Sequence, residues 1–338
     1  MNSRKILVIG SNSFSGSNFV NHALQSGYQV MGISRSSEPN PVFLPYKWEH
    51  NKLKDDIYKD FIFRQLDLNN DLKKIINNLD SFKPDYVINF AAQGMVAESW
   101  LNPTHWYKTN LLSQVAFHDE LRRRDFLKKY VHVTTPEVYG STDSGWINEK
   151  QPFSPSTPYA VSRAACDLHL KSFYQAYDFP VVLTRAANVY GPGQQLYRII
   201  PRTILSALSG KEMSLHGGGV SVRSFIHIND VVEATLKLTV EGKPGSTWHL
   251  STREQISIKK LVEKICLLCN VEFEKIVRIS DERLGKDQSY LLDSSSIREN
   301  FNWMDKIDLN SGIKETILWV EENYDLLLKL PWDYNHKI

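Results

Sequence analysis

The chain has 338 residues, 42% hydrophobic and 23% charged, the balance of an ordinary globular protein long enough for two core-bearing units. Its net charge of +2 offers no electrostatic footprint for a nucleic acid or a membrane surface, and no apolar run reaches the roughly 18 residues a membrane helix needs. Three cysteines, an odd and sparse count, argue for a reducing compartment rather than a disulfide framework.

In chain order, "KILVIG" at residues 5–10 is a short β-rich run, followed by a Gly/Ser/Asn turn and the helical pattern "FSGSNFVNHALQSG". The opening residues show no secretory leader, and the cytoplasm is the expected location. Gly10 stands at the strand end and permits a tight turn. Gly16, six residues on, opens the helix and lets its N-terminal N–H groups and dipole approach a pyrophosphate. The spacing departs from G-x-G-x-x-G, but this is the first strand-turn-helix of the chain, where a dinucleotide site belongs. The next strand-like run, "YQVMGIS", leads into Ser34, Arg35 and Ser36. A carboxylate at that tip would accept from ribose hydroxyls and suit NAD. A guanidinium fork with two hydroxyls favours NADP instead, NAD being the alternative. Asp67 in "RQLDLNN" either accepts from an adenine amino group or caps the following helix.

Further β-type runs, "DYVINFAA", "KYVHVTT" and "FPVVLTRAANVYG", alternate with helical segments around 70–82, 102–124 and 159–178, the pattern of parallel β-α-β units. The basic run Arg122, Arg123, Arg124, Lys128 and Lys129 reads as the coat of a helix end, where cations suit the dipole. After about residue 190 the elements shorten, and about 255–330 is mostly helical with a few short strands. The expected fold is α/β: a Rossmann-type doubly wound parallel sheet over 1–187, rejoined by about 222–252, with a smaller α/β domain from 188–221 and 253–338. The ligand crevice is expected between them. Cys266 and Cys269 have redox-motif spacing, but "ISIKKLVEKICLLCN" is an amphipathic helix and the two read as small core residues. No metal site is expected.

"VHVTTPEVYGST" follows a strand, so Thr134, Thr135 and Glu137 fall at its C-terminal end, where open α/β sheets put their chemistry. In "TPYAVSRAACD", Tyr159 precedes Arg163 by one helical turn. A cation there is expected to lower the Tyr159 pKa and make it a base, with Thr135 bonding the same substrate hydroxyl and Glu137 as a second base.

These stretches, with "NFAAQ" at Asn89–Gln93, "RAANVYGPGQ" at Arg185–Gln194, "VRSFIHINDV" at Val222–Val231 and "DERLGKD" at Asp281–Asp287, carry a resemblance that runs nearly end to end. The chain resembles the nucleotide-sugar epimerases and dehydratases of the extended short-chain dehydrogenase/reductase family. The resemblance implies cofactor contacts from Gly10, Ser13, Phe14, Ser15, Gly16, Ser34, Arg35, Ser36, Asp67, Leu68, Ala91, Ala92, Gln93, Asn110, Tyr159 and Arg163. It implies substrate contacts from Gln93, Thr135, Glu137, Asn188, Arg198, Arg223 and Arg283, the last two arginines pairing with the diphosphate of an NDP-hexose. Tyr159 would take the sugar C4 hydroxyl proton while hydride passes to the nicotinamide, and Glu137 would take the C5 proton as C6 loses hydroxide. A homodimer through a four-helix bundle of about 102–124 and 159–178 is also implied.

Thr-x-Glu tilts this resemblance to a 4,6-dehydratase. An epimerase, decarboxylase or reductase on the same fold, and a catalytically silent NDP-sugar-binding protein, are the alternatives. Three positions depart from the family's pattern. Ser13 replaces a turn glycine and requires that φ stay negative there. Pro136 stands where dTDP-glucose dehydratases carry a proton-donating aspartate, and GDP-mannose dehydratases a serine. Arg163 replaces the family's lysine, keeping the charge on a bulkier fork.

Overall fold

The computed structural model describes residues 4–48, 57–142, 145–282 and 289–337. Among these, seven parallel strands form the central sheet: β1 (Lys5–Ile9), β2 (Gln29–Ser34), β3 (Phe61–Gln65), β4 (Tyr86–Asn89), β5 (Lys129–Val133), β6 (Val181–Ala186) and β7 (Thr247–Leu250). Their order is β7-β6-β5-β4-β1-β2-β3. The winding reverses between β1 and β4, where Ile6 lies opposite both Val30 and Tyr86, so the crevice opens beyond the C-terminal ends of these strands.

Alternation along β1 sorts the core. Ile6 and Val8 face one apolar layer, closed by Phe19, Val20 and Ala23 of helix α1 (Phe14–Gln25) and by the helix Ile228–Glu241. Leu7 and Ile9 face the other, with Leu79 of Leu72–Phe82, Phe117 of Ser113–Leu121 and Leu170 of Pro158–Tyr177. A third cluster lies away from the sheet, where Ile200, Ile204, Leu261, Ile265, Ile313 and Val320 pack helices Ile199–Ser209, Ile258–Leu268 and Leu309–Glu322 together. Burying a Leu or Ile side chain contributes about 1.5–3 kcal/mol, so each layer is independently substantial.

The strand Phe61–Gln65 was not anticipated. It is the sheet's edge, only half covered, and its polar end hides the alternation that marks an inner strand. The expected helix around 102–124 is interrupted by a π-helical turn, Lys108–Leu112, between Pro103–Tyr107 and Ser113–Leu121. The basic run follows the end of that helix. Arg122 bonds Asp119 at 2.8 Å, and Arg124 bonds Glu120 at 2.7 Å and Asp80 at 3.0 Å. Cys266 is buried in its helix and Cys269 half-buried at the cap, both unbridged, with thiol pKa values raised by burial.

Candidate active site

The first turn is held by its own residues. Gly10 has φ +81°, and a Cβ there would lie 2.7 Å from the Ala91 amide nitrogen; one on Gly16 would run into the Gly10 carbonyl oxygen. Ser13 meets the turn's demand with φ −72°. It also caps α1: its hydroxyl donates to the Gly10 carbonyl at 2.7 Å and accepts from the Gly16 amide at 3.0 Å. Phe14 and Ser15 begin the helix, so their amides have no intrahelical acceptor.

At the tip of β2, the Ser34 hydroxyl accepts from the Asn12 amide at 3.0 Å and lies 3.4 Å from the Ser11 hydroxyl, which ties it to the turn. Arg35 and Ser36 are half-buried beside it. Asp67 accepts from the Asn69 amide at 2.9 Å and from the Asn70 side chain at 2.7 Å. Its carboxylate thus shapes the approach to the next helix, which Asp71 precedes as N-cap residue, and Leu68 is buried behind it. The "NFAAQ" loop is fixed from below. The Asn89 side chain accepts from the Ala91 amide at 2.9 Å and donates to Gln114 at 2.6 Å, leaving Ala92 exposed. Asn110, in the π turn, is fully buried. Its amide accepts from the Gln93 backbone at 2.8 Å and donates to the Gln93 carbonyl and to Ser162 on the helix that carries Tyr159. It therefore locks the loop to that helix rather than offering its own amide to the crevice.

Beyond β5, Thr135 is extended, buried, and begins the short turn Pro136–Tyr139, its hydroxyl accepting from the Glu137 amide at 3.4 Å. Thr157 caps the helix Pro158–Tyr177 through the Ala160 amide, with Pro158 in its first turn, and this sets Tyr159 one residue inside, 8% exposed. The expected lowering of the Tyr159 pKa is not realised. Burial, then the Glu137 carboxylate, push it up to about 12, and Arg163, the Thr135 hydroxyl and Arg198 recover only part. Arg163 is 2% exposed and bonds the Val133 carbonyl with Nη2, turning back under the strand end. Its Nε and Nη1 are buried with no partner among the described residues.

Several motif residues serve the floor. Arg185 and Asp167 form an ion pair at 2.7 Å with both side chains fully buried. Thr134 donates to the same Asp167 oxygen at 3.0 Å, and Arg185 donates to the Tyr139 hydroxyl at 2.9 Å. That hydroxyl lies 2.8 Å from His249 Nε2, and His249 Nδ1 faces the Asp293 carbonyl, so Nδ1 carries the proton. Nearby, the Tyr130 hydroxyl sits between His118 and His132, with Cys166 3.7 Å beyond. These three side chains have metal-ligand chemistry, but one phenol already joins the two imidazoles and Arg163 acts on His132 as a like charge.

On the far bank, Asn188 heads the strand pair Asn188–Tyr190 with Phe225–His227. Arg198 is exposed at the start of Ile199–Ser209, its guanidinium 5.4 Å from the Tyr197 ring centre. Arg223 is 7% exposed, and its guanidinium stacks 4.3 Å from the Tyr290 ring centre. The Tyr290 hydroxyl donates to Glu137 Oε1 at 3.3 Å. Tyr290 was missed in the sequence, although an aromatic directly after "DERLGKDQS" was the available signal. Arg283 lies outside the described residues.

The residues present fit an anionic dinucleotide. The Phe14 and Ser15 amides at the start of α1 adjoin a turn too tight for side chains, and Arg163 and Arg35 hold buried guanidinium N–H groups without partners among the described residues.

The chain matches the GDP-mannose 4,6 dehydratase family over residues 7–316. A dTDP-D-glucose 4,6-dehydratase from Bos taurus is 33% identical over 252 residues, 72% of this chain and 69% of the relative. A probable dTDP-glucose 4,6-dehydratase from Sinorhizobium fredii is 28% identical over 335 residues, 94% of this chain and 93% of the relative. The solved dTDP-glucose 4,6-dehydratase of Streptomyces venezuelae, with NAD and TYD bound, superposes with a TM-score of 0.85 at 26% identity, covering 95% of this chain and 98% of that one. This chain belongs to the nucleotide-sugar dehydratase and epimerase family of the extended short-chain dehydrogenases/reductases.

Proposed function

We propose that the protein is an NAD(P)-dependent 4,6-dehydratase that converts an NDP-hexose to its 4-keto-6-deoxy form. The observation that carries this reading is Glu137: a carboxylate at the C-terminal end of β5, bonded by Tyr290 at 3.3 Å and close enough to Tyr159 to raise its pKa. A carboxylate beside a phenol suits removal of a proton α to a carbonyl, the step that distinguishes elimination from simple oxidation. Tyr159 takes the C4 hydroxyl proton, with Thr135 holding the same oxygen. With its pKa pushed up to about 12 before ligands bind, the phenol is protonated at neutral pH and acts as the base only as the phenolate, which Arg163 and the Thr135 hydroxyl favour. When bound, the oxidised nicotinamide ring would supply the hydride acceptor for C4, a second positive charge, and the same hydride for C6 once water has left, C5 then taking up a proton to give the 4-keto-6-deoxy sugar. Glu137 takes the C5 proton and hands it to the departing C6 hydroxyl, so water leaves without the acid that Pro136 cannot provide.

Tyr159, Arg163, Gln93 and the Gly10–Gly16 turn are assigned to the dinucleotide, and Arg35 and Ser36 to the 2′-phosphate of NADP. Asn188, Arg198, Arg223 and Arg283 are assigned to the NDP-sugar. A homodimer through 102–124 and 159–178 is supported by the apolar side chains those helices expose, Leu112 at 64% and Leu168 at 56%. Among the described residues no helix is long and apolar enough to cross a membrane.

Mass spectrometry after incubation with a panel of NDP-hexoses tests the reaction. Loss of one water is expected from one of them. An isomer at unchanged mass would identify an epimerase, and binding without turnover a silent NDP-sugar-binding protein. Glu137→Gln is expected to abolish water loss while dinucleotide still binds. An unchanged rate would remove Glu137 as the base.

A further inference from the structure

We propose that the C-terminal segment 332–337 is a strap over the dinucleotide site, and that Lys337 joins Arg35 and Ser36 in selecting the 2′-phosphate of NADP. The inference rests on the NADP reading above and adds a residue 301 positions away in the chain.

The segment is anchored on both banks of the crevice. At its root, Arg202 donates to the Trp332 carbonyl at 2.9 Å and lies 3.3 Å from Asp333, while the Trp332 indole donates to the Leu327 carbonyl at 3.0 Å. The Tyr334 ring then meets Tyr197 edge-on at 5.4 Å. His336 stacks nearly parallel on Trp106, with ring centres 5.0 Å apart, and its Nε2 lies 3.0 Å from His105 Nδ1. Gln93 donates to the Lys337 carbonyl at 2.8 Å, which fixes the strap to the loop after β4. From there the Lys337 ammonium donates to the Ser36 hydroxyl at 3.3 Å.

That hydroxyl marks the tip of β2, where Rossmann sites read the ribose. Arg35 follows Ser34 and precedes Ser36 in the chain, its Nη1 buried and without a partner among the described residues. Its charge acts on both Tyr334 and His336, so the guanidinium is near the strap. The carboxylate two residues beyond Ser36 is occupied: Glu38 accepts from Tyr46 and from Lys47, each at 2.7 Å. Glu98 also acts on Tyr334 and His336. Lys337 meets the Ser36 hydroxyl and the Arg35 guanidinium lies near the same strap, and among the described residues neither cation is in an ion pair. A phosphate monoester satisfies both, and a bare ribose hydroxyl satisfies neither.

The test uses the full chain, freed of co-purifying nucleotide, titrated with 2′,5′-ADP and with 5′-AMP, which differ only in the 2′-phosphate. The native chain is expected to prefer 2′,5′-ADP. Lys337→Ala is expected to lower that preference about tenfold while 5′-AMP binding stays unchanged, and Lys337→Arg to restore it. A preference untouched by Lys337→Ala but lost in Arg35→Ala would overturn the strap and leave the NADP reading standing. Tighter binding of both ligands by Lys337→Ala would overturn it too, marking the segment as a plug. A native chain without preference would overturn both.

Discussion

Arg163 and Arg185 are both buried arginines at the floor of the crevice, and only Arg185 is neutralised. Arg185 meets the Asp167 carboxylate and the Tyr139 hydroxyl, which in turn engages His249. Arg163 meets one backbone carbonyl and keeps two buried N–H-bearing nitrogens without partners among the described residues. Burying a charge costs several kcal/mol unless a counter-charge and hydrogen bonds offset it. Arg185 has that compensation, so its region is scaffold, joining β6, the Tyr159 helix and the turn after β5. Arg163 lacks it, so its region carries a cost that an anionic ligand would relieve. Both arginines lie in family motifs, and it is the partners that separate their roles.

Breaking the paired side should have the largest effect. Asp167→Ala leaves Arg185 buried without its counter-charge and is expected to cost about 3–5 kcal/mol in urea unfolding; a loss below about 1 kcal/mol would show that Arg185 is not held as described. Breaking the unpaired side should do the opposite. Arg163→Met is expected to lower kcat/KM about a hundredfold, some 2.7 kcal/mol, with unfolding free energy unchanged or raised. Arg163→Lys should recover most of the activity. A destabilised Arg163→Met protein would place Arg163 with the scaffold.

The smallest effect concerns pH. Burial holds His249 neutral, lowering its pKa from 6.5 to about 3. A depressed folded-state pKa means its contribution to stability is present above about 6.5 and lost as pH falls from there towards about 3. At pH 5.5 the expected loss from this one imidazole is about 1.4 kcal/mol. Unfolding curves at pH 7.5 and 5.5 measure it, with His249→Gln reducing the difference. An equal difference in the variant would exclude His249 as the cause.

The turn between β1 and α1 was legible because its demands are local. Gly10 needs positive φ, Gly16 needs room, and Ser13 needed only negative φ, which it combines with a cap. The cap at Thr157 and the helical pattern placed Tyr159 and Arg163 one turn apart on one helix. What that spacing did not carry was the direction of the Arg163 fork, or the balance of burial and Glu137 that raises the Tyr159 pKa where a lowering was expected.

The sequence by itself therefore determined the parallel sheet's inner strands, the turn at Gly10–Gly16 and the gathering of Thr135, Glu137 and Tyr159 near strand ends. Each follows from periodicity, capping or backbone freedom within a few residues. The tertiary structure alone decided which buried arginine is neutralised, that Tyr290 reaches Glu137, and that Lys337 meets Ser36. Those depend on segments distant in the chain being packed together, and on water being excluded where they meet; a local pattern carries neither.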